Sequence, residues 1–317
     1  MTARTIGLFQ WRQGWADLWL TQCDAPFGRH RNVHLRPFDA RADHLLLIGP
    51  PVSPSGHPRL PYFLKKRAKL AGRYDAERLR HSIAQLGRSR DDITMLVYEP
   101  PCAFTDTWFE IAREFCARVY APDARATHPV RLPATWSFSD RLDALRAEVP
   151  SPDRPLGLAC ITSGKRLWPG HDDRLDFLRA VRAADLPMDL FGRSLPPDLA
   201  PRGPVLSKAT VYRAARFALV LENDTAGDLY LTEKLWDALI CWTLPIYFGS
   251  TAADHTVPEG SFIRLPDLGP AGIETVRDAL AHPGWWDERR DAIAEARRRA
   301  LHELRLVEWI ADHVGAA

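Results

Sequence analysis

The residues best placed for chemistry lie in one stretch, 217-FALVLENDTAGDLYLTEKLWDALICWTLPIYFGS-250. The apolar run 217-FALVLEN-223 reads as a buried strand that delivers Glu222 and Asn223 at its carboxyl end. A polar loop follows, then a helix predicted to start near Thr232, a good N-cap residue. Glu233 and Lys234 then fall in the first helical turn. A helix N-terminus already carries partial positive charge, so a lysine there has the wrong sign for helix stability. The conflict disappears if a polyanion such as a diphosphate sits at the helix end, bound by backbone N–H groups and ammonium together. Glu233 would then be suited to accept hydrogen bonds from ribose hydroxyls. The competing reading is a solvent-facing Lys234 offset by Glu233, and the residues alone leave both open.

Such a site needs strands to carry it. In the second half, strands are predicted at 156–162, 188–192, 217–223, 244–249 and 261–265, with helical patterns at about 173–184, 208–216 and 232–242. This alternation means a parallel sheet with helices on both faces, and ligands of such sheets bind at the carboxyl ends of the strands. In the first half, 5-TIGLF-9, 44-HLLLIG-49, 93-ITMLVYE-99 and 118-RVYA-121 read as strands, and Trp11, Trp15 and Leu18 have helical spacing. The stretch 50-PPVSPSGHPRLP-61 reads as a loop, and 149-VPSPDRP-155 has the composition of a linker. Near the C-terminus, Ile293, Ala296, Ala300, Leu304 and Val307 predict one long amphipathic helix or two shorter ones. The expected organisation is α/β, with domains at 1–150 and 151–317, in line with a chain of 317 residues.

Composition removes several classes. The net charge is +2, so no global field favours nucleic acid. The 5 cysteines are scattered, with no CxxC or Cys/His ligand spacing, which argues against a disulfide framework or a zinc site. There is no GxGxxG and no GxxxxGK[ST], which argues against a dinucleotide dehydrogenase and a P-loop enzyme. The start lacks a long apolar signal region and no run of about 18 apolar residues exists, so a cytoplasmic protein is expected. The 11 tryptophans suit stacking on sugars or bases, although core packing is the commoner use. The fragment 171-HDD-173 reads as an acidic helix start rather than a metal-binding pair, and Arg174 after it is a second candidate anion partner. The segment 59–90 carries 10 Lys or Arg, including Lys65, Lys66, Arg67 and Lys69, against Asp75 and Glu77. It is either a solvated helix face or a contact to phosphorylated glycolipid or an anionic membrane surface, here the inner face.

The stretch LENDTAGDLYLTEKLWDAL…TLPIYFGS resembles the donor-binding signature of the α1,3/α1,4-fucosyltransferases, glycosyltransferase family 10, and its bacterial-type members most. Weaker similarity covers a strand and loop ending at Ser163, an arginine opening a helix (Arg174 in 173-DRLDFLRAV-181), 189-DLFG-192 and 261-SFIRLPDL-268. In the first half, 97-VYEPP-101 is similar to the family's strand ending in a glutamate. The resemblance implies two Rossmann-like domains facing a central cleft, the GT-B architecture, with acceptor bound by 1–150 and donor by 151–317. It implies inverting transfer of fucose from GDP-fucose to a saccharide hydroxyl of a glycan or glycolipid, the acceptor being free or lipid-linked. It implies no cofactor and no metal. Lys234 and Arg174 match the family's pyrophosphate contacts, and Glu233 its ribose contact. Glu222, Asn223, Tyr230 and Thr232, with Ser163 and Gly192, match the donor pocket, and Glu99 matches the general base. Leu221 stands where the family has Phe, and Asp224 where it has Ser or Thr. Those departures keep another GDP-sugar open. A different nucleotide sugar, or a catalytically silent glycan- or nucleotide-binding protein, is the alternative.

Overall fold

The computed structural model describes residues 3–10, 21–24, 28–49, 71–100, 103–166 and 169–315. The helical spacing at Trp11, Trp15 and Leu18, the 50–61 loop, Pro101 and the lysines and arginine at 65–69 lie outside the described residues. The chain forms two compact units, one of Met1–Leu132 with Val307–Ala317, the other of Pro133–Leu306.

The first unit carries β1 (Arg4–Gln10), β2 (Arg29–His30), β3 (Val33–Pro37), β4 (His44–Ile48), α1 (Ala71–Ala84), β5 (Ile93–Leu96), α2 (Ala103–Phe115), β6 (Arg118–Ala121) and β7 (His128–Pro129). Its sheet has the order β2-β3-β1-β4-β5-β6-β7. Every pair is parallel except β2–β3. All residues of β4 and β5 are buried, the signature of central strands covered on both faces. Leu45, Leu47 and Met95 pack in one core with Leu79 and Ile83 of α1 and Phe109 and Ala112 of α2.

The second unit carries α3 (Leu142–Ala147), β8 (Leu156–Ile161), α4 (Pro169–Ala183), β9 (Asp189–Phe191), α5 (Lys208–Arg213), β10 (Ala215–Leu221) and α6 (Glu233–Ile240). It continues with β11 (Leu244–Phe248), α7 (Ala252–Thr256), β12 (Ile263–Arg264), α8 (Pro270–Ala281), α9 (Trp285–Glu288) and α10 (Arg290–His302). Its sheet is parallel throughout, in the order β12-β11-β10-β8-β9. The chain steps from β8 outward to β9, then crosses back to β10 and runs the other way. The strand order therefore reverses between β8 and β10, and a crevice opens at that switch point in doubly wound sheets. The last helix, α11 (Leu306–His313), returns to the first unit. Arg4 Nη1 donates to Val314 O at 3.0 Å and Arg118 Nη1 to His313 O at 2.9 Å, so two strand arginines satisfy carbonyls at the negative end of α11.

Two features differ from the sequence reading. The units divide at 132/133 rather than 150/151, because Trp136, Phe138, Leu142 and Leu145 are buried in the core of the second unit. The 149–155 stretch is a staple instead of a free linker. Arg154, 5% exposed, donates to the carbonyls of Tyr212 (3.2 Å), Ala215 (2.8 Å) and Cys241 (3.1 Å) and lies 4.7 Å from the Trp286 ring centroid. The C-terminal pattern forms the two shorter helices α10 and α11, one of the two forms expected. Between α10 and α11 the chain bridges to Ala134, whose N–H donates to Leu304 O at 2.6 Å, so those backbone groups are spent outside a helix. Trp136, Trp236, Trp286 and Trp309 are buried, the ordinary core use of the residue.

One buried histidine makes the first unit sensitive to acid. His44 in β4 is fully buried, with Arg4 Nη2 3.3 Å from Nδ1 and Thr94 Oγ1 2.9 Å from Nε2. Arginine only donates, so Nδ1 accepts and Nε2–H donates to Thr94. Burial, then Arg4 and Arg118, push the His44 pKa down to about 4. The unfolded chain binds the proton near pH 6.5 and the folded chain does not. Stability therefore falls as pH drops from about 6.5 to 4, by roughly 3 kcal/mol in total from this group. His44→Gln should lower the pH slope of the unfolding free energy in that window by about 1.4 kcal/mol per pH unit. Urea titrations at pH 4.5, 5.5 and 6.5 measure it, and an unchanged slope refutes the assignment.

Candidate active site

At the end of β10 the chain stays in sheet register for one more residue, since Glu222 N donates to Phe248 O at 2.9 Å. Its carboxylate, 2% exposed, lies under the start of α6. Oε1 accepts from Thr232 N at 3.1 Å, Thr232 Oγ1 lies 2.7 and 2.8 Å from the two carboxylate oxygens, and Lys234 Nζ donates to Oε2 at 2.8 Å. Thr232 is the N-cap as expected, its extended backbone (φ −111°, ψ −177°) turning Oγ1 to accept from Lys234 N at 3.3 Å and from Nζ at 3.0 Å.

The first-turn lysine is therefore answered from within the chain. Glu222 pairs with it directly, with the Lys234 side chain 21% exposed. Burial works against the ammonium, but Glu222 and Glu233 outweigh it and hold the Lys234 pKa above its ordinary value. Glu233 lies 3.9 Å from Lys208, whose closer partner is the fully buried Asp237 at 2.6 Å.

Arg174 spans the switch point. It is 3% exposed and sits in the second turn of α4, because the helix begins at Pro169 rather than at the arginine. Nη1 donates to Asn223 Oδ1 at 2.8 Å and Nη2 to Ser163 O at 3.0 Å, joining the loops after β10 and β8. Among the described residues the buried Nε has no hydrogen-bond partner. Both acceptors are neutral, so among the described residues no contacting carboxylate balances this guanidinium. Burial lowers the Arg174 pKa, with Cys160, Glu222 and Tyr230 opposing. The local field is positive: burial, then Arg174, Lys165 and Lys234, push the His171 pKa down to about 4, which leaves that imidazole neutral at pH 7.

Two glycines let the backbones close up here. A Cβ on Gly170 would lie 2.2 Å from Asn223 O, so the α4 end rests directly on the β10 loop. Gly192 has φ +149° and a Cβ there would lie 1.6 Å from Thr162 O, so it serves close packing after β9. Tyr230 is 2% exposed, and its carbonyl accepts from Ser250 Oγ at 2.6 Å.

Beside these groups lies a pocket of about 530 Å³, lined by Gly170, Asp173, Asp176, Phe177, Glu222, Asn223, Asp224, Thr225, Phe248 and Leu268. Four of its lining side chains are carboxylates, so it repels phosphate and accepts hydroxyl or amino donors. The sequence reading missed Asp173, Asp176 and Phe177 as lining residues. Their i, i+3, i+4 spacing on α4 places them on one helical face, and was the available signal. Asp172, from the HDD fragment, pairs with Arg166. Among the described residues no group of three or more His, Cys, Asp or Glu is arranged to hold a metal ion. Glu99 is half-buried in the first unit, three residues beyond β5, which ends at Leu96.

Lys234→Met would leave the Glu222 carboxylate buried without its ammonium, at a cost of about 3 kcal/mol. The double variant Glu222→Gln/Lys234→Met should recover most of that. Urea denaturation of the wild type, the two single variants and the double variant gives the coupling, and additive losses would refute the pair.

Residues 162–272 match the family model described as glycosyltransferase family 10 (fucosyltransferase) C-term. No curated relative matches the chain by sequence. Among solved structures, an α1,3-fucosyltransferase with GDP is similar with TM-score 0.51 at 14% identity, over 95% of this chain and 91% of that one. An α-glucosyltransferase in complex with UDP-glucose and DNA containing an abasic site is similar with TM-score 0.54 at 11% identity, over 96% of each chain. At such identities the likeness shows the fold, the two-unit α/β GT-B fold of glycosyltransferases. Residues 162–272, which include Arg174 and Lys234, are similar to the C-terminal domain of glycosyltransferase family 10, and the chain that carries them is a glycosyltransferase.

Proposed function

We propose that the chain transfers fucose, or a closely related sugar, from a GDP-sugar to a saccharide hydroxyl, with inversion at the anomeric carbon and without a metal. The observation that carries this reading is the pair of cations at the switch point, Arg174 bridging the loops after β8 and β10 and Lys234 at the end of β10. Negative charge grows on the β-phosphate as the nucleotide leaves, and two fixed cations beside a helix N-terminus stabilise it there. In this reading Arg174 and Lys234 bind the diphosphate and Glu233 accepts from the ribose hydroxyls. The acid-lined pocket takes a donor-bearing part of the substrate, with Tyr230, Thr232, Ser163 and Gly192 shaping the surrounding wall.

The acceptor comes to the first unit. Glu99 removes the proton of its hydroxyl, the oxygen forms a bond to the anomeric carbon, and the bond from that carbon to the β-phosphate oxygen breaks with both electrons leaving on GDP. The acceptor is a glycan or glycolipid, met in the cytoplasm or at the inner membrane face through the basic 59–90 segment. Among the described residues no helix is long and apolar enough to cross a membrane.

GDP and GDP-fucose should stabilise the protein, and UDP should not. At one hundred times Kd the gain is about 2.7 kcal/mol, or a Tm rise of about 5–10 °C for a unit of this size. Equal stabilisation by UDP would remove the donor assignment. Lys234→Ala should weaken GDP binding and turnover together. Glu99→Gln should bind GDP as the wild type does and lose transfer; near-normal transfer would exclude Glu99 as the base.

A further inference from the structure

Part of the anion site at the start of α6 is already used by the protein itself. Glu222 accepts from the N–H of the N-cap Thr232 at 3.1 Å and from Lys234 Nζ at 2.8 Å. The Lys234 N–H goes to Thr232 Oγ1 at 3.3 Å. A carboxylate thus sits where the helix end and the lysine would otherwise receive a phosphate. It is buried and braced through Thr232, so it cannot swing away without leaving a charge unsolvated. Arg174, in contrast, meets only neutral acceptors among the described residues.

We propose that Glu222 is a resident counter-ion, a positioning residue that fixes Lys234 and competes with the nucleotide's diphosphate for it. This rests on the diphosphate reading above. The carboxylate stands beside the lysine on which the departing phosphate charge falls, so it weakens the hold on the product nucleotide. Diphosphate and carboxylate share one ammonium, and their mutual repulsion favours release of GDP. A bracing role alone predicts the reverse: losing the carboxylate loosens Lys234 and binding falls.

The test is GDP affinity by calorimetry. Glu222→Gln keeps an acceptor for Thr232 and removes the charge. It should bind GDP at least ten-fold more tightly than the wild type, with turnover reduced and a steeper loss of affinity on adding salt. Glu222→Asp keeps the charge and should not bind more tightly. Unchanged or weaker GDP binding by Glu222→Gln overturns the proposal. If that variant does not fold, the pair Lys234→Met and Glu222→Gln/Lys234→Met decides, because the double variant holds no unpaired charge. The double variant should bind GDP more tightly than Lys234→Met, and equal or weaker binding overturns the proposal. Wild-type protein that binds no GDP at all would instead remove the donor reading on which this rests.

Discussion

The second unit is organised around one buried ion pair, Glu222 with Lys234, at the meeting of a strand end and a helix start. A carboxylate that is fully buried needs its acceptor capacity used, or its desolvation goes uncompensated. Thr232 and Lys234 use it, and that requirement fixes where α6 begins. Six of the eight residues of α6 are buried, so a shift of its register would displace the centre of the core. The other end of the helix is held with equal care. Arg297 Nε donates to Ile240 O at 2.7 Å and Arg154 Nη2 to Cys241 O at 3.1 Å, placing cations at the negative end of the helix.

Buried arginines recur in this unit, and their acceptors distinguish their tasks. Arg154 and Arg297 donate to main-chain carbonyls away from the carboxyl ends of the strands, and each stacks at 4.7 Å on a tryptophan, Trp286 and Trp242 respectively. They are braces. Arg174 has the same degree of burial but bridges two loops at the reversal of strand order, with Nε left unsatisfied. An unpaired donor in a buried guanidinium is a standing cost, and it is explained when a ligand supplies the acceptor.

Much of this was legible in the residues. The five strands of the second unit fall where apolar runs predict them, most clearly the central β8, β10 and β11, because central parallel strands must be apolar on both faces. Thr232 is the cap that its type implies. The short β2–β3 hairpin, with only Val33 and Leu35 buried in β3, gave no run long enough to read. The 149–155 stretch misled because proline, serine and aspartate suggest exposure, whereas a single arginine decides its path. The partner of Lys234 was missed for a geometric reason. Glu222 lies twelve residues earlier and meets the lysine only when the loop folds back, which no local periodicity records.

The loop after β10 sorts its charges residue by residue. Glu222 neutralises Lys234, whereas Asn223, next in the chain, offers Arg174 an amide oxygen of similar reach and no charge. Asp224 turns to the pocket, where carboxylates repel phosphate. An aspartate at 223 would make the same contact to Arg174 with a full ion pair, and both cations would then be quenched from within. The amide preserves the hydrogen bond that orients the guanidinium while leaving its charge to be met from outside. An anion is therefore drawn to the arginine side of the switch point, and hydrogen-bond donors to the pocket beside it.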